Sequence, residues 1–555
     1  MTRYLRLLMP LPIVMTLLLV ACDDDDDEEQ SGLLASCDPD AEAPCEDGLV
    51  CVPDAEEAPR CHIAPGAFCD LEEDPSGCTP GAECVGGAAP DAGAEEAQCL
   101  VADGGSCDPL EPFCQDGLTC AEVQGGEHRC HGRVLFSGMV SDALDASAIG
   151  GAHVIGIDDE GVAVTDVAVS DDDGGYELEI PVLRDETGAP VDGTYTLRAA
   201  AADYQVFPGG LRTALPISLS QAAEVDGGWV VSGTLVDVVL IPLADADDRV
   251  TISGTVHPVT EVDEGRQPLA EEVSGVLVVA TSGQTTLSAL SDRSGSFTIF
   301  NATPGSYAVE GYAADVQLTP ASAEVADQPV VDVDLFPSSD ALTTLSGSIQ
   351  IVNAPGGAET SVILVVESTF DADFVRGEVP RGLRAPRSGA PDVDGGFEIA
   401  GVPNGTYVVL AAYENDDLVR DPDTNIAGTD FVRVTVSGGD VTLDDSFKVT
   451  EALAVRSPGA DEPTAVTDAP ALVWADDSSE DWYEVRVFNA YGDEVWADEN
   501  VAAGRGGSDV SVQYGGPMEV GMYYQFRVTS WRQPGNGQAA PISATEDLRG
   551  VFYVE

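Results

Sequence analysis

The chain has 555 residues, enough for several domains, and sets 98 acidic side chains against 24 lysines and arginines, for a net charge of −74. With a single lysine, Lys448, and no basic patch to neutralise phosphates, nucleic acid is excluded as a partner. Charge of this size bears on solubility and self-repulsion, which a saline medium screens, rather than on fold.

Residues 1–21 read as an export signal. Arg3 and Arg6 precede an apolar stretch broken by Pro10 and Pro12, too short and interrupted for a spanning helix. The run Leu19-Val20-Ala21-Cys22 resembles the end of a bacterial lipoprotein signal peptide. That resemblance implies that Cys22 is lipidated and becomes the new N-terminus; an ordinary secretory leader is the alternative. Residues 22–36 follow as a tether, in which the acidic run Asp23 to Glu29 repels itself into an extended spacer. An aspartate beside the lipidated cysteine resembles an inner-membrane retention signal of some bacteria. The choice of membrane, and of a periplasmic or cell-surface face, stays open.

Twelve further cysteines fall between residues 37 and 131 in three sets: Cys37, Cys45, Cys51, Cys61; Cys69, Cys78, Cys84, Cys99; and Cys107, Cys114, Cys120, Cys130. Five residues separate the second and third members of every set, and seven separate consecutive sets, so one small unit is repeated. Such units are too small to bury a useful core and need staples. Outside the cytoplasm the default staple is the disulfide. Zinc is the alternative, through the Arg60-Cys61-His62 and Arg129-Cys130-His131 echoes, against which no Cys-x-x-Cys occurs and Leu100 replaces the histidine in the middle set. Pairing within each set is expected, and four cysteines allow three connectivities.

Past His131 the composition turns to short alternating runs of Val, Thr, Ala, Gly and Asp, with turn signals every 8 to 12 residues, which predicts all-β sandwiches. A second repeat runs through them. Its opening strand reads Ser137-Gly138-Met139-Val140, Ser253-Gly254-Thr255-Val256 and Ser346-Gly347-Ser348-Ile349. Its hairpin places Asp171, Asp292 and Asp392 five residues ahead of Tyr176, Phe297 and Phe397. Its next strand begins Gly193-Thr194-Tyr195, Gly305-Ser306-Tyr307 and Gly405-Thr406-Tyr407. The tyrosine and the aliphatic residue two positions on share one face, predicted to point into the core.

This pattern resembles the carboxypeptidase regulatory-like domain, a transthyretin-like β-sandwich, and gives copies at 134–245, 249–337 and 343–450. The first departs by an insertion from Leu183 to Val191. In the namesake enzymes the domain accompanies a zinc peptidase. Here no His-x-x-Glu, His-Glu-x-x-His or Gly-x-Ser-x-Gly occurs, and the single lysine leaves no Ser-x-x-Lys. The expectation is therefore no enzyme and no catalytic residue.

Residues 451–555 read as another β unit. Gly521-Met522-Tyr523-Tyr524-Gln525-Phe526 resembles the tyrosine-corner strand of a fibronectin type III sandwich, which makes Tyr524 the corner tyrosine and Trp474 the core tryptophan. Trp482 and Trp496, each flanked by acids, are the candidates for exposed ligand contacts; packing in the core and at strand edges is the alternative. Asp421, Asp423 and Asn425 alternate like the start of a calcium loop, although Ile426 and Val432 rule out an EF-hand; a solvated turn is the alternative. No other cofactor is indicated.

The modules together suggest a lipid-anchored cell-envelope protein, bound to its membrane through the N-terminal lipid. Sandwiches in series would form a rod about 100 Å or more long, at about 30–40 Å per domain of about 100 residues. A structural or adhesive display scaffold is the first expectation. The alternative is a binding accessory of an envelope importer with a carbohydrate or peptide ligand.

Overall fold

A computed structural model describes the chain from residue 33, apart from 38–44, 47–48, 53–58, 70–76, 86–96, 159–160, 210–213, 245–248, 259–269, 353–359, 373–375, 389–391, 413–430, 445–446, 451, 478–479, 505–506, 534–536, 538 and 546–548. Among the described residues nearly every regular element is a strand; the helical pieces are Ala270–Val273, Leu219–Gln221 and Glu367–Thr369. No described helix is long and apolar enough to cross a membrane. The protein is all-β and divides into two units, Met1–Val101 and Ala102–Glu555.

The first unit holds two cysteine modules and the second begins with the third. Each is built on a hairpin: Leu49–Val52 with Arg60–Ile63, Ala82–Val85 with Gln98–Val101, and Leu118–Val123 with Glu127–Gly132. The third and fourth cysteines face each other across the hairpin, as Cys51 does Cys61, yet they do not bond together. The third joins the first and the fourth joins the second in all three modules: Cys37–Cys51 and Cys45–Cys61, Cys69–Cys84 and Cys78–Cys99, Cys107–Cys120 and Cys114–Cys130. A backbone arm closes each module the same way, with Leu34, Gly66 and Gly104 donating to the carbonyls of Cys61, Cys99 and Cys130 at 2.7–2.8 Å. Backbone φ is positive at all three, which suits the two glycines and strains Leu34.

The three sandwiches share one plan. In the first, the opening strand Val134–Asp142 lies antiparallel to Gly175–Glu179 and parallel to Gly228–Ser232 and Val238–Leu240. In the third, Thr343–Val352 does the same with Gly396–Val402, Val441–Thr442 and Phe447–Thr450. In the second, Val250–Thr255 pairs with Ser296–Ala302. The facing sheet centres on the Gly-x-Tyr strands Thr194–Ala200, Gly305–Ala313 and Gly405–Ala412.

Register explains the motif. The glycine of each opening strand lies opposite the hairpin aromatic, pairing Gly138 with Tyr176, Gly254 with Phe297 and Gly347 with Phe397. The hairpin aspartate caps its own turn: Asp171 accepts from the backbone of Asp173 and Gly175 at 2.9 Å, and Asp292 from Ser294 and Ser296 at 2.9 Å. Tyr307 and Tyr407 are buried, as are Leu197, Val309 and Val409. Tyr195 is only half-buried, a departure from the expected inward position that falls in the copy carrying the insertion.

That insertion docks the third cysteine module. Arg184 N–H donates to Glu122 O at 2.8 Å and Gln124 N–H to Arg184 O at 2.8 Å, while the fully buried Arg184 guanidinium reaches Gly132 O at 2.6 Å. At its far end, Gly188 lies under the His131 ring, whose Nδ1 is 3.1 Å from Asp103.

The sandwiches are not strung end to end as the rod expectation had them. Buried apolar residues of the first sandwich and of 451–555 run together into one core, and Leu277, Val279, Tyr312 and Ala314 of the second join the core of the third. One contact recurs between consecutive copies. Asp203, eight residues past Tyr195, donates its N–H to Asn301, six residues before Tyr307, at 2.6 Å. Asp315, eight past Tyr307, donates its N–H to the carbonyl of Gly401, six before Tyr407, at 2.9 Å. All four residues have positive φ.

Candidate functional site

Cys22, Asp421, Asp423 and Asn425 lie outside the described residues. The sulfurs of Cys37, Cys45 and Cys61, and their counterparts in the other modules, lie close enough together to hold a metal, but each is consumed in a disulfide.

The two singled-out tryptophans part company. Both are half-buried rather than exposed. Trp496 lies opposite Val487, an inward position, and sits edge-on to Tyr514 with ring centroids 5.6 Å apart, so it packs the edge of the core. Trp482 lies on the opposite, outer face of the sheet. The strand Trp482–Asn489 pairs there with Tyr523–Arg532, which sets Trp482 directly across from Trp531. Their rings run parallel, 6° apart with centroids at 6.2 Å. Beyond them on the same face lie Glu484 and Arg486, with Arg486 bridging Glu484 and Glu494. Alternation buries the other face, where Tyr483, Val485, Val487, Phe526 and Val528 are sealed. An aromatic pair rimmed by hydrogen-bonding groups suits a ligand with an apolar face and polar edges.

The acids around this pair mostly build turns. Asp476 accepts from Tyr483 OH at 3.0 Å and Gly504 N–H at 3.1 Å; Asp477 accepts from Ser530 Oγ at 2.8 Å; Asp481 accepts from Gln533 N–H at 2.7 Å. Glu480 differs: burial, helped by the charges of Asp476 and Asp477, pushes its carboxyl up to about 7.

A second polar feature joins all three sandwiches. Arg198 of the first, only 9% exposed, grips Glu378 of the third with two bonds of 2.7 and 2.8 Å. Ser288 of the second donates to the same carboxylate at 2.7 Å and accepts from Arg198 at 2.9 Å. Burial opposes the charge on Glu378, but the Arg198 charge and these bonds outweigh it and hold the carboxyl below its ordinary value. Sequence reading missed this group because its members lie 90 residues apart and belong to no motif.

No family model matches the sequence, and no curated protein matches it. Among solved structures the chain is similar to the Bacillus anthracis TIE protein, at 10% identity over 75% of this chain and 73% of that one, with a TM-score of 0.13. It is also similar to BcpA, the major pilin subunit of Bacillus cereus, at 12% identity over 57% and 99% of the two chains, with a TM-score of 0.15. A third is GBS52, a minor pilin of Streptococcus agalactiae, at 12% identity over 38% and 99%, with a TM-score of 0.16.

Proposed function

We propose that this is a lipid-anchored protein of the bacterial cell envelope, acting without catalysis as a structural or adhesive scaffold. On this reading Cys22 carries the lipid and 22–36 spaces the folded part from the membrane. The three repeats are transthyretin-like sandwiches of the carboxypeptidase regulatory-like kind. The last unit is fibronectin type III-like, supported by the fully buried Trp474 and by Tyr524, whose hydroxyl accepts from Glu519 N–H five residues upstream at 3.1 Å. The observation that carries the scaffold reading is the locking of four sandwiches through shared cores and the Arg198–Ser288–Glu378 group. Rigidity of that kind serves load and display.

Mass spectrometry of the mature protein tests the anchor. A diacylated Cys22 at the N-terminus, lost in Cys22→Ala with release of the protein from membranes, is the expected result; a bare thiol or a retained leader ends the proposal. Adhesion or self-association of cells carrying the protein, absent on deletion, tests the role. The second reading, a carbohydrate- or peptide-binding accessory, is favoured by the Trp482–Trp531 pair. It expects glycan or peptide binding that disappears in Trp482→Ala.

A further inference from the structure

Four sandwiches follow one another in the chain, and two contacts tie together members that are not sequence neighbours. The Arg198–Glu378 pair joins the first to the third. The other contact joins the first to the last. The unit 451–555 starts where two cores meet: Ala452 packs on the core of the third sandwich, and Leu453 belongs to the core shared with the first.

This second contact is built from both sides. Thr234 Oγ1 donates to Gly521 O at 2.8 Å, and the Gln221 side chain hydrogen-bonds the Tyr523 hydroxyl. Tyr491 is half-buried near Asp237; burial, and after it the charge of that carboxylate, raises its hydroxyl above the ordinary value. Among the described residues, no strand of 451–555 pairs with a strand of the first sandwich. Two finished surfaces therefore meet side by side, without a shared ladder. Parting them breaks side-chain contacts, whereas opening a sandwich breaks rows of backbone bonds.

We propose that the contact between the first sandwich and 451–555 is a clasp that opens under tension. A pull from the N-terminal side enters the first sandwich through the third cysteine module, which Arg184 docks onto it. Two routes then lead to the last unit. The short one crosses the clasp; the long one follows the chain through the second and third sandwiches. The second sandwich carries the pull only after the clasp and the Arg198–Glu378 tie have both opened. Once open, the first and last units remain joined through the other two, and that tether recloses the contact when tension falls. The molecule lengthens and shortens again with its sandwiches folded. The use of such a clasp rests on the scaffold role, whereas its existence does not.

Single-molecule force spectroscopy on the full chain, held by its two ends, tests this. Parting the first and last units adds at most about 60–80 Å, the size of two folded domains, while unfolding one sandwich of about 100 residues adds about 300 Å. Short steps are expected before any long one, and they should reverse on relaxation. Gln221 is exposed and Thr234 half-buried, so Gln221→Ala/Thr234→Ala leaves the core intact. At a fixed force it should speed the first short step roughly tenfold, as the loss of two hydrogen bonds implies, with the long steps unchanged. Thr234→Ala alone should speed it less. A long step as the first event in wild type overturns the clasp, as does a first short step that neither variant speeds. Adhesion is read on cells and step order on single molecules, so the scaffold role and the clasp can fail independently.

Discussion

Gly254 has no room for a methyl group. A Cβ there would run into the carbonyl of Val333, and at Gly138 into that of Val236, because the segment that runs parallel beside each opening strand passes close to its glycine. Gly254→Ala should destabilise the second sandwich by about 2–3 kcal/mol, the scale of overpacking in a filled core, read as a lowered denaturant midpoint with unchanged slope. Tyr407→Phe should cost about 1 kcal/mol, since it strands Pro403 O, to which the buried hydroxyl donates at 2.9 Å. Glu480 yields a pH signature of defined sign. Its folded value of about 7 lies above its ordinary 4.5, so its contribution is full below 4.5 and is lost as pH rises through 7. Glu480→Gln, neutral throughout, should therefore raise the melting temperature relative to wild type at pH 8 and leave it unchanged at pH 4. The motif residues were legible in the sequence because a turn cap and a cross-strand glycine act within one hairpin or one strand pair. Trp531 was not singled out, because only the register of two strands distant in sequence sets it beside Trp482.

Elements carry the next layer. The cysteine spacing announced three copies of one module, but neither the hairpin between third and fourth cysteines nor the bonding partners follow from it. Spacing alone does not choose among the pairings, and only the arm ahead of the hairpin brings the first cysteine to the third. Each bridge closes a loop of 13 to 21 residues, for which chain entropy gives about 3 kcal/mol. Replacing all four cysteines of the third module by serine should therefore open residues 107–130 to protease. The sandwiches should stay resistant, since their cores hold none of these residues. Limited proteolysis with mass spectrometry of the fragments checks this, and nicking within the sandwiches instead would show that the module supports them. The insertion from Leu183 to Val191 was visible as a departure from the repeat. Its role as a docking edge for that module was not, because nothing local marks a segment whose partner is another domain.

At the scale of the molecule, reading a chain of similar domains as a rod assumes that neighbours meet only through their linkers. Here the surfaces meet instead, and the asymmetry lies in single residues: Asn301 and Gly401 accept the turn of the preceding copy, and Arg198 reaches past the second sandwich to the third. Coupling of this kind predicts cooperative unfolding. Arg198→Met leaves the Glu378 carboxylate without its main partner and should lower the first unfolding transition by about 2–3 kcal/mol. The double variant Arg198→Met/Glu378→Met should recover most of that loss, because it removes the stranded carboxylate along with the bond. The pH dependence follows from the depressed value of Glu378. The stability it supplies is present above about 4.5, its unfolded value, and disappears as pH falls through the folded one. Wild type should then fall below the double variant in strongly acidic buffer, while the two run parallel above pH 5. Urea titrations across that range measure the divergence. A single variant that shifts no transition, with sandwiches melting one by one in wild type, would mean that the three domains merely touch.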